Sequence, residues 1–262
     1  MKKTIRTQWY LVALTLILSA VGAVLRGRQL LHELQPDGSL AAGSTMHIVL
    51  TVLCGIWLAA AIALLLPLAK KTRWKDCFRA SVLPNLLQLV AAGMLILGNI
   101  LLWIEGRQPT TAFATQSPAV SGALSAMLAP LGIVSALCIG IFTFSCLRGK
   151  RPSPLLYMIA SVYLVVRLIV CFQEWNIDPS VHDYAFQLLA AICCMLAAFQ
   201  LAGFSFDRGK RRMTLFWSLS AVVFCSITVA DTLVGGISHE ALINFGLLLS
   251  LGVSSGQLLF TK

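Results

Sequence analysis

The sequence predicts an all-α integral membrane protein: a bundle of eight transmembrane helices with both termini in the cytoplasm. The 262 residues are 58% hydrophobic and only 11% charged, whereas soluble domains carry about 25% charged residues. Eight apolar runs reach or approach the roughly 20 residues that a spanning helix needs. Basic residues cluster between alternate runs, and no hydrophilic stretch is long enough for a soluble domain. Residues 1–262 are therefore predicted to form a single polytopic membrane domain.

The predicted helices occupy residues 9–25, 46–69, 80–104, 122–147, 154–172, 184–206, 214–234 and 241–260. The first run ends in small residues, as a cleavable signal peptide does, but Arg26 and Arg28 directly follow it. An uncleaved first helix is the preferred interpretation, and cleavage stays open. The fifth helix is expected to begin at Pro154, because proline is tolerated in a first helical turn. Gly235 and Gly236 end the seventh run.

The distribution of charge predicts the orientation of these helices. Of the 20 Lys and Arg residues, 16 lie at the two termini or after the second, fourth and sixth runs, and three lie on the opposite side. By the positive-inside rule, this bias places both termini in the cytoplasm and requires an even number of spans. The predicted location is a plasma membrane, of bacterial type. The net charge of +10 does not indicate nucleic-acid binding, because no basic face is large enough to follow a phosphate backbone.

Arg167 is the charge that a membrane helix least easily accommodates, since it lies inside the fifth apolar run. An arginine at the centre of a spanning helix costs about 2.5–3.5 kcal/mol on insertion scales unless it finds a partner or water. At 1.5 Å per residue, Arg167 and Asp231 of the seventh run lie at similar depths in the outer half of the bundle. We therefore predict that Arg167 pairs with Asp231.

Further polar side chains lie at helical spacing on the same or neighbouring runs, which predicts a polar cavity open to the outside. Arg167 would form its floor, and acidic residues its rim. These candidate ligand-binding or ion-pair residues are Asn85, Gln88, Asn99, Tyr163, Glu174, Asp183 and Gln187. The alternative interpretation is structural: Arg167 and Asp231 form an ion pair, and the amides join helices by hydrogen bonds.

Other site classes are weakly indicated. No catalytic residue is predicted, and an enzyme is disfavoured because no hydrolase or phosphate-binding motif occurs. No cofactor or metal is predicted, and His182 and His239 are only weak metal candidates, since no histidine pair has one-turn spacing. Gly252 and Gly256 have the GxxxG spacing of close helix packing, either inside the bundle or at a homo-oligomer or membrane-partner interface.

Two functional interpretations follow. The first is permease-like transport, or binding, of a small anionic or zwitterionic solute in the outward-facing cavity, because transporter sites lie between helices near the midplane. The second is a non-catalytic membrane sensor, scaffold or subunit of a larger complex. A filled core without a cavity would favour the second.

Overall fold

Eight α-helices and no β-strand occur in the part of the chain that the computed structural model describes, namely residues 2–33, 44–69, 78, 81–105, 119–175, 185–206, 209–235 and 239–260. The helices are α1 (Lys2–His32), α2 (Thr45–Leu65), α3 (Val82–Glu105), α4 (Ala119–Leu147), α5 (Leu155–Trp175), α6 (Ala185–Ser205), α7 (Arg211–Gly235) and α8 (His239–Leu259). All eight are long and apolar enough to cross a membrane. The all-helical class and the eight helices of spanning length are confirmed for the described residues, and their length and composition indicate a multi-pass membrane protein.

The ends of the helices follow local capping chemistry. Ser44 precedes α2, and its hydroxyl accepts a hydrogen bond from the backbone N–H of His47 at 3.1 Å, which satisfies one of the free donors at a helix start. After α4, Gly149 adopts a positive φ of 65°, and the N–H of Lys150 donates to the carbonyl of Ser145 at 3.0 Å. This is the Schellman arrangement that glycine permits at a helix end.

Six helices form a closed ring in chain order. Each of α3 to α7 packs against the next helix in the sequence, and α8 packs against both α7 and α3. Helix α1 packs against α7, and α2 packs against α1 and α7. Helix α7 is the most buried span because it has neighbours among both the ring helices and the α1–α2 pair. The interior of the ring is where a site enclosed by several helices can form.

The two termini lie at the same end of the bundle, because the rings of Trp9 and Phe260 pack with centroids 5.0 Å apart. We call this the termini end, and the opposite end, which holds Arg26 and Asp231, the far end. An even number of spans is consistent with this arrangement. That the termini end faces the cytoplasm stays a prediction from the positive-inside rule.

The helix bounds differ from the prediction chiefly in α1, which begins at Lys2 instead of Trp9 and continues to His32 instead of ending at Leu25. Arginine is a good helix former, so the helix continues through Arg26 and Arg28 for more than one further turn. The other seven helices begin and end within four residues of the predicted positions. The longer α1 carries Arg26 to the far end of α7.

Arginines at the termini end bind the last carbonyls of other helices. Arg211 donates to the carbonyls of Leu258 and Leu259 at 2.9 and 3.0 Å, and Arg151 donates to the carbonyl of Ser205 at 2.8 Å. Such cations satisfy free carbonyls and complement the negative end of the helix dipole. These arginines, which by their positions in the sequence predict only the orientation in the membrane, therefore also link the ends of different helices.

The predicted glycine motif on α8 is only partly engaged in packing. A side chain at Gly252 would meet Val222 of α7 at 3.7 Å, and at Gly256 nothing lies within 4 Å. The close approach of α8 occurs instead at Gly246, where a Cβ would lie 3.1 Å from the Ala91 carbonyl of α3. Gly252 thus faces the bundle, and an interface with a second protein at Gly256 stays a prediction.

Candidate functional site

Arg167 lies in α5 inside the far half of the ring and is half-buried. Its Nη2 donates a hydrogen bond of 2.9 Å to Oδ1 of Asn244 on α8. Among the described residues, no carboxylate lies within ion-pair distance of the guanidinium. The charge of Arg167 is therefore held by a neutral amide, and its remaining donors are available to another group.

A cavity lies beside this guanidinium, between α5, α6, α7 and α8. It offers about 30 Å³ to the centres of water molecules, which is room for about two waters. The polar groups on its wall come from all four helices and include both a cation and an anion. The lining residues are Leu164, Arg167, Cys171, Gln187, Ala190, Ala191, Cys194, Cys225, Thr228, Glu240, Asn244 and Leu247.

Asp231 pairs with Arg26 of α1, so the predicted pair of Arg167 and Asp231 is wrong. Arg26 Nε lies 2.6 Å from Asp231 Oδ1, and the two side chains are only 3% and 12% exposed. The physical reason is the extension of α1 through Arg26 and its packing along α7, which bring a second buried arginine to this carboxylate. Gln187 of α6 donates to the other carboxylate oxygen at 3.2 Å.

A chain of hydrogen bonds extends from this ion pair along the far end. Arg26 Nη1 donates to Gln29 at 3.0 Å, and Gln29 donates to Ser44 at 3.2 Å. The hydroxyl of Ser44 donates in turn to the carboxylate of Glu33. Arg26 also lies over the ring of Phe186, 5.7 Å from its centroid, a cation–π geometry. Through these contacts α1 is linked to the start of α2, to α6 and to α7.

Gln187 belongs to both arrangements. It lines the cavity beside Arg167 and donates a hydrogen bond to Asp231. The ion pair and the cavity are therefore neighbours, separated by one amide side chain.

Tyr163 lies one helical turn from Arg167 toward the termini end and is buried. Its hydroxyl donates to Oδ1 of Asn99 on α3 at 3.1 Å, and the Asn99 amide donates to the Leu95 carbonyl at 2.7 Å. Tyr163 and Asn99 are therefore joined by a direct bond, whereas Arg167 bonds to Asn244. Asn99 does not line the cavity at Arg167.

Asn85 and Gln88 are buried on α3, nearer the termini end. Gln88 donates to Ser250 of α8 at 2.6 Å and to the Tyr157 hydroxyl of α5 at 3.4 Å. Asn85 donates to the carbonyl of Ser81 at 2.7 Å. Gln88 therefore joins α3 to α5 and α8, and neither amide lines the cavity at Arg167.

Three other candidates lie outside the described part of the chain: Asp183, His182 and the side chain of Glu174. His239 begins α8 at the far end and is half-buried. Among the described residues, no group of three or more His, Cys, Asp or Glu side chains lies close enough to hold a metal ion.

Sequence reasoning missed Asn244 and Glu240 as cavity residues and Arg26 as the partner of Asp231. Glu240, Asn244 and Leu247 follow one another at spacings of four and three, which places them on one face of a helix. That spacing was a usable signal for α8. The partner of Asp231 had no comparable signal, because it depends on α1 packing against α7.

Thiols form part of the cavity wall. Cys171, Cys194 and Cys225 all line it, and the Cys194 and Cys225 sulfur atoms are 3.4 Å apart. All three are buried, and none forms a disulfide within the described residues. Small, polarizable thiols pack closely between helices, and they leave the charged groups of the wall as its main recognition elements.

Comparison with known protein families, with curated proteins and with solved structures gives no match to this chain. The chemistry of the cavity is therefore the basis for a functional assignment. A guanidinium, a carboxylate and two amides around one water-sized space are complementary to a ligand that carries both an anionic and a cationic group.

Proposed function

We propose that this multi-pass protein is a permease-like transporter that binds a small zwitterionic or anionic solute at Arg167. The observation that carries the proposal is a membrane-embedded guanidinium whose described partner is neutral. Asn244 satisfies one of its donors, whereas the nearby carboxylate of Asp231 is engaged by Arg26. Intramembrane charges are costly and mark solute and ion pathways. An anionic group of the solute would supply a counter-charge in direct contact with the guanidinium, which the Glu240 carboxylate of the same cavity does not reach.

Glu240 favours a zwitterionic solute. It lines the same cavity as Arg167 and Asn244, so a carboxylate and an ammonium on one small molecule would each find an opposite charge. The cavity as it stands holds about two waters. Solute entry therefore requires the ring helices to separate, which agrees with a site that opens and closes during transport.

The test is a stability measurement on the purified protein with a panel of amino acids and small anionic metabolites. A ligand that binds only the folded state adds about 2.7 kcal/mol at 100 times its Kd. The thermal midpoint of the unaltered protein is expected to rise with one class of solute, and Arg167→Gln is expected to abolish the rise. Arg28→Gln is the matched control, because Arg28 is exposed on α1 and should keep the full shift.

The absence of any shift in the unaltered protein, together with strong destabilisation by Arg167→Gln, would contradict solute binding and indicate a structural arginine. If a solute does stabilise the protein, a measurement of its uptake into proteoliposomes would separate transport from binding alone.

Glu240→Gln tests the charge class of the solute. Removing this carboxylate removes the partner of a solute ammonium, and the charge-assisted hydrogen bond is worth about 1.5–3 kcal/mol. The variant is expected to weaken zwitterionic solutes by about tenfold or more and to bind simple monoanions at least as well as the unaltered protein. Equal weakening of both classes would show that Glu240 organises the site without contacting the solute.

The second candidate is a non-catalytic sensor, scaffold or complex subunit that transports no solute. The small volume of the cavity, about 30 Å³, favours this candidate. A stabilising solute that proteoliposomes fail to accumulate or exchange would support it over transport.

A further inference from the structure

A second cavity lies inside the same ring, closer to the termini end. It offers about 20 Å³ to the centres of water molecules, which is room for about one water. Five helices contribute to its wall, which is mostly apolar. The lining residues are Leu95, Gly132, Ser135, Ile139, Tyr157, Ala160, Tyr163, Leu164, Ala198, Leu247, Ser250 and Leu251.

Leu164 of α5 and Leu247 of α8 line both cavities, and both are at least 94% buried. On α5, Arg167 lies beyond Leu164 toward the far end. On α8, which runs in the opposite direction, Asn244 precedes Leu247 and Ser250 follows it. Both helices therefore give the same order from the far end: the charged cavity, the two leucines, and the second cavity.

Polar groups continue beyond the leucines. The Tyr157 hydroxyl and the Ser250 hydroxyl belong to residues of the second cavity, and both accept from the Gln88 amide. The Oε1 atom of Gln88 is buried without a hydrogen-bond partner among the described residues. Buried polar atoms normally have partners, often water. Gln88 itself lines neither cavity, and this acceptor is suited to a buried water beside Tyr157 and Ser250.

We infer that the two cavities are halves of one path through the ring, closed in this structure at Leu164 and Leu247. Apolar constrictions of this kind close membrane pathways by excluding water. The two side chains would then determine the size of what passes from the Arg167 site toward the termini end. This inference rests on the proposed transport function, but its test requires no solute.

The test uses Ag⁺, a cation small enough for water-sized spaces, as a thiol probe. In a variant with the eight native cysteines replaced by alanine or serine, Ser135→Cys reports on the second cavity and Thr228→Cys on the charged cavity. Silver replaces the thiol proton and forms a silver thiolate, which blocks later maleimide labelling of the denatured protein. With silver added only on the side of the membrane that the far end faces, and with both leucines intact, we expect silver to block labelling at Thr228→Cys and to leave Ser135→Cys protected.

Leu164→Ala combined with Leu247→Ala is expected to abolish the protection of Ser135→Cys. Leu215→Ala combined with Leu258→Ala is the matched control, because these two leucines are fully buried and line neither cavity. If the variant with both Leu164→Ala and Leu247→Ala fails to fold, Leu247→Ala alone is used, and a partial loss of the protection of Ser135→Cys is expected.

Three results would overturn the inference. The first is continued protection of Ser135→Cys in a folded variant that carries Leu164→Ala and Leu247→Ala. The others are equal silver reaction of Ser135→Cys and Thr228→Cys with both leucines intact, and an equal loss of protection in the Leu215→Ala and Leu258→Ala control. Because Ag⁺ reports on the path itself, a failure of solute binding leaves each of these results readable.

Discussion

Replacing Arg26 with glutamine is expected to lower the free energy of unfolding by about 3–5 kcal/mol, the range for removing one partner of a buried ion pair. Asp231 is only 12% exposed, and its carboxylate lies 2.6 Å from the arginine. In the variant, this carboxylate would keep the Gln187 amide as a donor and lose its counter-charge. Chemical or thermal denaturation in detergent measures the loss.

Two comparisons separate this effect from a general sensitivity of α1. Arg28→Gln removes an exposed arginine two residues along the same helix and should change stability by less than about 0.5 kcal/mol. Arg26→Gln combined with Asp231→Asn removes both charges and should recover most of the loss. A double variant that loses the sum of the two single losses would show that the residues do not interact.

The ion pair also has a consequence for the cavity, because Gln187 contacts Asp231 and lines the cavity. Loss of Arg26 would free the carboxylate to draw Gln187, or the guanidinium of Arg167, toward itself. We therefore expect Arg26 variants that remain folded to bind solute more weakly, although Arg26 itself does not line the cavity.

The number, class and bounds of the helices could be predicted because they depend on local properties. Apolar runs of about 20 residues have few alternatives to a spanning helix, since every backbone polar group in a membrane must be satisfied within the segment. The prediction failed at the end of α1 because arginine signals an interface on average. Here Arg26 remains in the helix and finds a carboxylate on α7.

The partners of the polar residues could be predicted only in part. Depth arithmetic gave Arg167 and Asp231 similar depths along their helices, but depth is one coordinate of three. The partner of each residue also depends on its direction around the helix and on which helices are neighbours. Contacts such as α1 with α7 and α3 with α8 join segments far apart in the sequence, and no loop constrains them.

Replacing Gly132 with alanine is expected to destabilise the protein by up to about 3 kcal/mol, the upper part of the range for overpacking a core. A Cβ at this position of α4 would overlap the carboxamide of Asn99 on α3. Asn99 is fully buried, donates to the Leu95 carbonyl at 2.7 Å and accepts from Tyr163 at 3.1 Å. It cannot move aside without breaking its hydrogen bond to Leu95 within α3 or the bond from Tyr163 that joins α3 to α5.

Gly140→Ala on the same helix is the matched control, because nothing lies within 4 Å of a Cβ there. Alanine favours helix over glycine by about 0.5–1 kcal/mol, so this control should be neutral or slightly stabilising while Gly132→Ala lowers the thermal midpoint.

Adding Asn99→Ala to Gly132→Ala removes the overlapping group, so the double variant should lose less stability than the two single changes together. Strict additivity would contradict the close packing of α4 on Asn99. A smaller combined loss would identify Gly132 as the residue that allows Asn99 to hold Tyr163 at the wall of the second cavity.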